Sequence, residues 1–292
     1  MANPARRLPQ NIEGDFFVDE TCIDCDACRQ IAPLTFRDHG EQSSVHRQPS
    51  TEVETRQAMK ALVACPTGSI GATQRHDTRA AVSAFPELID GNVYFCGFTA
   101  ESSFGAWSYL VVRPVALGGN ILVDSPRFSR PLVKSIEALG GVRTIFLTHR
   151  DDVADHEAYA RKFGAVRIMH ADDCASRYGV ERVVEGLEEI RIDDELRAIP
   201  TPGHTRGHMV LLYKNKYLFT GDHLAWSPKR ETLTAFRSAC WYSWPEQTRS
   251  MQRLLDYSFE WVLPGHGRIH TTNAGEMREH LRGCVEWMKA TP

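Results

Sequence analysis

The segment TPGHTRGHMVLLYKNKYLFTGDH, residues 201–223, places two apolar strand-like runs, MVLLYKN and KYLFTGD, between metal-type side chains: His204 ahead of the first and Asp222 at the end of the second. Glycines beside both residues let the backbone turn sharply there. Two other stretches repeat the design, TIFLTH ending at His149 and LPGHG carrying His266. Side chains from four strand ends can thus converge on one point. Neutral imidazole and carboxylate are ligand types of zinc, iron and manganese. Each motif is weak taken singly, and the isolated His39, His46, His76 and His280 are read as solvated.

Working outward, strand-like runs alternate with amphipathic segments from residue 91 on: VYFCG, SYLVV and NILVDS, then RPLVKSIEALG as helix and TIFLTH as buried strand. HEAYARKFG reads as helix, VRIMH as strand, EIRI and LRAIP as strands, and helices fall near 245–257 and 274–289. This pattern predicts a mixed α/β fold (α+β) over 91–292. Residues 73–90 show neither strand alternation nor a helical stripe and are read as a connector. No internal repeat occurs at a period of 20–50 residues.

Residues 1–72 form a separate small domain. CIDCDAC gives Cys22, Cys25 and Cys28 at Cys-x2-Cys-x2-Cys spacing, and Cys65-Pro66 supplies a distant fourth thiolate. Three close thiolates cap three corners of a cubane and the fourth, brought by folding, closes it. Zinc is the competing reading, although zinc ribbons usually pair two Cys-x2-Cys knuckles. The other cysteines, Cys96, Cys174, Cys240 and Cys284, are read as small buried apolar residues.

With 292 residues, 42% of them apolar, there is material for two packed units. A formal charge of −3 and the absence of any Lys/Arg block argue against nucleic acid as a partner. The N-terminus has two arginines with no apolar stretch behind them, and no run of about 18 apolar residues occurs. Secretion and membrane insertion therefore lack support, and thiolates of this spacing fit a reducing, cytoplasmic compartment. Removal of a transit peptide stays an open question.

Residues 12–72 resemble a bacterial-type ferredoxin. Ala32 stands where a second cluster would take its thiolate, so the resemblance implies one [4Fe–4S] cluster on Cys22, Cys25, Cys28 and Cys65. NILVDS, TH, TPGHTRGH, FTGD and LPGHG, in that order from about 91 to 285, resemble the metallo-β-lactamase superfamily. That implies an αββα sandwich with a metal cleft at its edge, holding zinc or iron, one or two ions. The family pattern gives His204 to the first metal, Asp222 as bridge and His266 to the second, with His208 and Asp124 supporting. Its usual His-x-His-x-Asp-His motif is altered in LTHRDDVADH, residues 147–156: His149 holds the first place, Asp151 replaces the next histidine, and Asp155-His156 comes late. His156 is kept as a candidate ligand. Asp152 and Asp155 also read as N-cap and N3 acid of the following helix.

The resemblance implies a hydrolase in which metal-activated water attacks a small ester, thioester or similar substrate, with Asp151 and Asp222 as the catalytic carboxylates. Two alternatives stand beside it. His149, His204 and Asp222 match the ligand positions of persulfide dioxygenases, and flavodiiron proteins carry a carboxylate where Asp151 stands, so an iron redox enzyme fed by the cluster or an electron-transfer partner is the second reading. A non-enzymatic carrier or sensor is the third. The aromatic run SACWYSWPEQ after the GD strand is read as lining the substrate side or as core packing.

Overall fold

The computed structural model describes residues 2–291, the side chain of Arg177 apart. Two compact units are present: one runs to Val112 and takes in Pro126–Gly141, the other comprises Arg113–Ser125 and the chain from Val142 onward.

In the first unit, strand Phe16–Val18 pairs antiparallel with Ile70–Ala72. Helix Glu52–Ala64 starts at Thr51, whose hydroxyl accepts from the Glu54 amide, and Glu52 and Glu54 complement the positive end of the helix dipole. It ends because Pro66 disfavours helical geometry at the residue before it. Cys65 accordingly takes extended backbone, φ −54° and ψ 122°. Phe16, Val18, Phe36, Val45, Ala58, Met59 and Ile70 form the small core beneath.

Residues 73–90 carry more structure than a connector, with helix Arg79–Ser83 and strand Glu87–Asp90. That strand pairs with Val93–Phe95 through a register shift between Leu88 and Asp90. The irregularity breaks the two-residue alternation by which a strand is recognised. Tyr109–Val111 adds a third antiparallel strand.

The second unit has four parallel strands, Ile121–Val123, Thr144–Phe146, Val166–His170 and Arg182–Val184. It also has a six-stranded sheet in the order Ile190–Arg191, Leu196–Pro200, Met209–Tyr213, Tyr217–Gly221, Trp261–Pro264, His270–Thr271. Both central strands are buried at every position, as the apolar runs MVLLY and YLF lead one to expect. Lys214 and Asn215, with φ of 54° and 50°, make the turn between them. Helix Ala274–Ala290, capped by Asn273, buries Met277, Leu281, Cys284, Val285 and Met288 at helical spacing. They pack with Leu212, Leu218, Val262 and Met251, the last from helix Trp244–Arg253. Each such side chain contributes about 1.5–3 kcal/mol.

Strand pairing, antiparallel at 196–213 and parallel between Tyr217–Gly221 and Trp261–Pro264, sets which residues share an edge. Pro200 lies opposite Met209, and Gly221 beside Pro264. The segments holding His204, Asp222 and His266 therefore leave the sheet at one edge. The loop after strand Thr144–Phe146 joins them, because the Met209 amide donates to the Thr148 carbonyl at 2.8 Å. Among the described residues, no helix is long and apolar enough to cross a membrane.

Two minor expectations change. Cys96 and Cys284 are buried, but Cys174 and Cys240 are partly exposed. His76 is not simply solvated: its Nε2 lies 2.5 Å from Asp15 Oδ2, and the His280 ring packs edge-on against Trp226 at 5.0 Å.

Candidate metal centre and iron–sulfur site

His149, His204 and Asp222 come together at this edge, each offering a ligand atom within 4.8 Å of the others. Asp222 Oδ2 is 3.8 Å from Nε2 of both histidines, and neither nitrogen has a hydrogen-bond partner although both are buried. Leaving such atoms unpaired is costly, which marks them as donors to a cation. Burial pushes His149 down to about 4, keeping the ring neutral at ordinary pH.

The tautomer follows from what stands behind the ring. Asp124, held at φ 55°, accepts from the Thr148 amide at 2.8 Å and from its hydroxyl. That hydroxyl lies 2.9 Å from His149 Nδ1. A hydroxyl that donates to Asp124 must accept from Nδ1–H, so the Nε2 lone pair faces the site. Asp124 thus stands behind a candidate ligand and outside both ligand groups. His208 is similarly tied, Nδ1 to Thr201 Oγ1 at 2.9 Å.

A second group consists of Asp152, Asp222 and His266. His266 Nδ1 lies 2.8 and 2.9 Å from the two Asp222 oxygens. Burial favours protonation of Asp222, but the His266 charge and hydrogen bond, with His149 and His204, hold it below the usual carboxylate range. Glycine at 265 leaves room for both carboxylates, since a Cβ there would lie 2.5 Å from Asp152 Oδ2 and 3.0 Å from Asp222 Oδ1.

Asp152 is the residue that sequence reasoning missed. It is not the helix cap: helix His156–Phe163 has Asp155 at its N-cap position. Asp152 is 1% exposed, and neither of its oxygens has a hydrogen-bond partner. Counting the family motif from His149 puts its carboxylate at position 153, so the available signal was an acid one place early. His156 lies outside both groups, buried with its Nδ1 3.5 Å from Arg167 and its ring edge-on to Tyr178. Asp151 is 43% exposed, with Oδ2 3.5 Å from His204 Nε2.

The aromatic run divides. Trp241 and Tyr242 are exposed, and their amides donate to the His204 carbonyl at 2.9 and 3.1 Å. Trp244 is buried in the core. The first half therefore flanks the metal-type cluster, and the second is packing.

Asp173, also unanticipated, ties two of the loops together. Buried to 4% exposure, it accepts from the Arg150 amide at 3.2 Å, the Gly207 amide at 2.9 Å and the Thr205 hydroxyl. Replacing Asp173 by asparagine puts an amide N–H against these donors. Metal affinity at the His149/His204 group is expected to fall about 10–100-fold, checked by competition with a chelating dye. Unchanged affinity would show that the tie does not set ligand geometry.

In the first unit, Cys22, Cys25, Cys28 and Cys65 line one pocket with Val18, Ile23, Ala27 and Ile70. Asp24 and Asp26, between the cysteines, have φ of 61° and 65°, left-handed geometry that aspartate tolerates better than most residues. Nearly buried Arg29 pairs with both, 2.7 Å from Asp24 Oδ1. The Ser43 amide donates to Cys22 Sγ at 3.4 Å. Burial raises the Cys25 thiol to about 12, so a bound metal would be needed to hold it as thiolate at ordinary pH. Four sulfurs on one apolar wall fit a [4Fe–4S] cluster.

The chain has the fold of metallo-β-lactamases and, near its start, a stretch similar to a single-cluster iron–sulfur domain. Residues 18–72 match the family described as the 4Fe-4S single cluster domain of Ferredoxin I. Among solved structures, DIM-1 metallo-β-lactamase exposed to ceftazidime aligns with a TM-score of 0.53 and 18% identity, covering 69% of this chain and 95% of that one. BLEG-1 B3 metallo-β-lactamase gives 0.51 and 17%, covering 66% and 99%. These likenesses establish the fold. Among curated proteins, the hydroxyacylglutathione hydrolase of Chelativorans sp. (strain BNC1) is 30% identical over 120 residues, 39% of this chain and 47% of the relative. That of Anaeromyxobacter dehalogenans (strain 2CP-C) is 36% identical over 118 residues, 39% and 45%. The chain thus spans about half the length of the curated relatives it matches.

Proposed function

We propose that the chain is a metal-dependent hydrolase of a small ester or thioester. The observation that carries this reading is the sharing of Asp222 by two groups of candidate ligands, one of which holds the buried His149 and His204 Nε2 atoms that lack a hydrogen-bond partner. His149, His204 and Asp222 would hold one zinc or iron ion, and Asp152, Asp222 and His266 a second. Bound metal supplies Lewis acidity and lowers the pKa of water to about 7. Asp151 reaches the same space from its solvent side and is positioned to orient the attacking water or take its proton. Asp222 fixes both histidines, and Trp241 and Tyr242 offer an apolar face beside His204. The hydroxyacylglutathione hydrolases among the chain's relatives support hydroxyacylglutathione, a thioester, as the first substrate to try.

The test is thiol release from a hydroxyacylglutathione by anaerobically purified protein, abolished by chelator and restored by zinc or iron. No release under any loading overturns the reading. Asp152→Ala is expected to reduce the metal beyond the cluster from two ions to one; an unchanged count would remove Asp152 from the ligand set.

A second reading, an iron redox enzyme served by an electron-transfer partner, draws its support from the matched iron–sulfur domain, because hydrolysis consumes no electrons. It requires iron at the His149/His204/Asp222 group and a change in that iron's oxidation state when the cluster is reduced. Zinc alone there counts against it.

A further inference from the structure

The four cluster cysteines all lie within the stretch that matches the iron–sulfur family, yet the pocket has a neighbour from beyond it. Gly105, at φ 81°, sits so close to the cysteine loop that a Cβ there would lie 2.5 Å from Cys25 Cβ and 2.8 Å from Cys25 Sγ. The same Cβ would be 3.4 Å from Pro66, the residue after Cys65. One point of the 99–107 loop therefore touches both the Cys-x2-Cys run and the segment delivering the distant thiolate.

This loop is built to stay in place. The Gly105 amide donates to Ala100 O at 2.8 Å and the Ala106 amide to Ser103 O at 2.9 Å. At one end the Thr99 hydroxyl donates to Ala64 O at 2.7 Å, a buried bond onto the last turn of the helix that presents Cys65. At the other, Trp107 stacks on Phe95 with ring centroids 3.7 Å apart. Phe104 next to Gly105 is held at φ 48°, an uncommon geometry for an aromatic residue. All these residues belong to one compact unit with the cysteines.

We propose that the 99–107 loop is the outer wall of the iron–sulfur site, that Gly105 is the position that lets it close over Cys25, and that the wall keeps water and other small polar molecules from the cluster. Its predicted consequences concern access and potential. One-electron reduction adds negative charge to a thiolate-ligated cluster, and a dry surround disfavours added charge. Opening the wall should speed removal of iron and raise the midpoint potential.

The test uses the full chain with its cluster, purified anaerobically, and follows the visible absorption while an iron chelator is added. Gly105→Ala should lose absorption about tenfold faster than the parent, with a higher midpoint potential. Gly40→Ala is the matched control: Gly40 has φ 94° in the same unit and nothing within 4 Å of its added Cβ, so it carries the backbone strain without the contact. Parental rates in Gly105→Ala, or equal acceleration in both variants, overturn the proposal. Should Gly105→Ala assemble no cluster, Thr99→Val decides: faster iron loss supports the wall, and an unchanged rate overturns it. The proposal rests on the cluster assignment, which fails separately if the parent contains no acid-labile sulfide.

Discussion

Asp222→Ala protein is expected to retain the visible absorption of the iron–sulfur cluster while losing every metal ion beyond it, together with hydrolytic activity. Asp222 is the one side chain common to both ligand groups. Its removal deprives His149 Nε2 and His204 Nε2 of the carboxylate they share and takes away a partner of His266 Nδ1. Loss of about 4 kcal/mol of metal-derived transition-state stabilisation corresponds to about a thousandfold in kcat/KM. Metal analysis and thiol-release kinetics on the same preparation check it. Cluster absorption serves as the internal control for folding of the first unit. Activity within about tenfold of the parent would remove the Asp222-centred site from the chemistry.

The reciprocal experiment is Cys28→Ser. Cys28 is 8% exposed and belongs to the core of the first unit as well as to the sulfur-lined pocket. A hydroxyl there is a poor iron ligand and a buried polar group without a partner, costing about 1–3 kcal/mol beyond the lost cluster. Iron is expected to fall by about four per chain and the visible absorption to vanish. The metal held by His149, His204 and Asp222 should remain, because its ligands all lie in the second unit. Loss of both metals in this variant, or in Asp222→Ala, would mean that the two sites do not assemble independently.

Much of the architecture was legible because its signals are local. Apolar runs at 209–213 and 217–219 specify buried strands, and the spacing of Met277, Leu281, Cys284, Val285 and Met288 specifies one buried helix face. Cysteine spacing is equally local: three thiolates within seven residues reach one pocket whatever lies elsewhere. His149, His204, Asp222 and His266 were named because each follows a strand.

Ligand identity within the altered turn was another matter. In LTHRDDVADH the chain supplies four acids or histidines after His149, and periodicity does not rank them. Tertiary packing does: Gly265 makes room for Asp152 beside Asp222, Arg167 and Tyr178 hold His156 away, and Asp151 stays toward solvent. Asp173 binding the loops of His149 and His204, and Gly105 closing on Cys25, are likewise contacts between segments remote in sequence. The sequence by itself determined which elements form and which chemical groups end at their edges, since backbone propensity and hydrophobic period act over a few residues. Only the folded chain decided which of those groups come within reach of one another and which do not, because that choice depends on distances of a few ångströms set by packing across the whole unit.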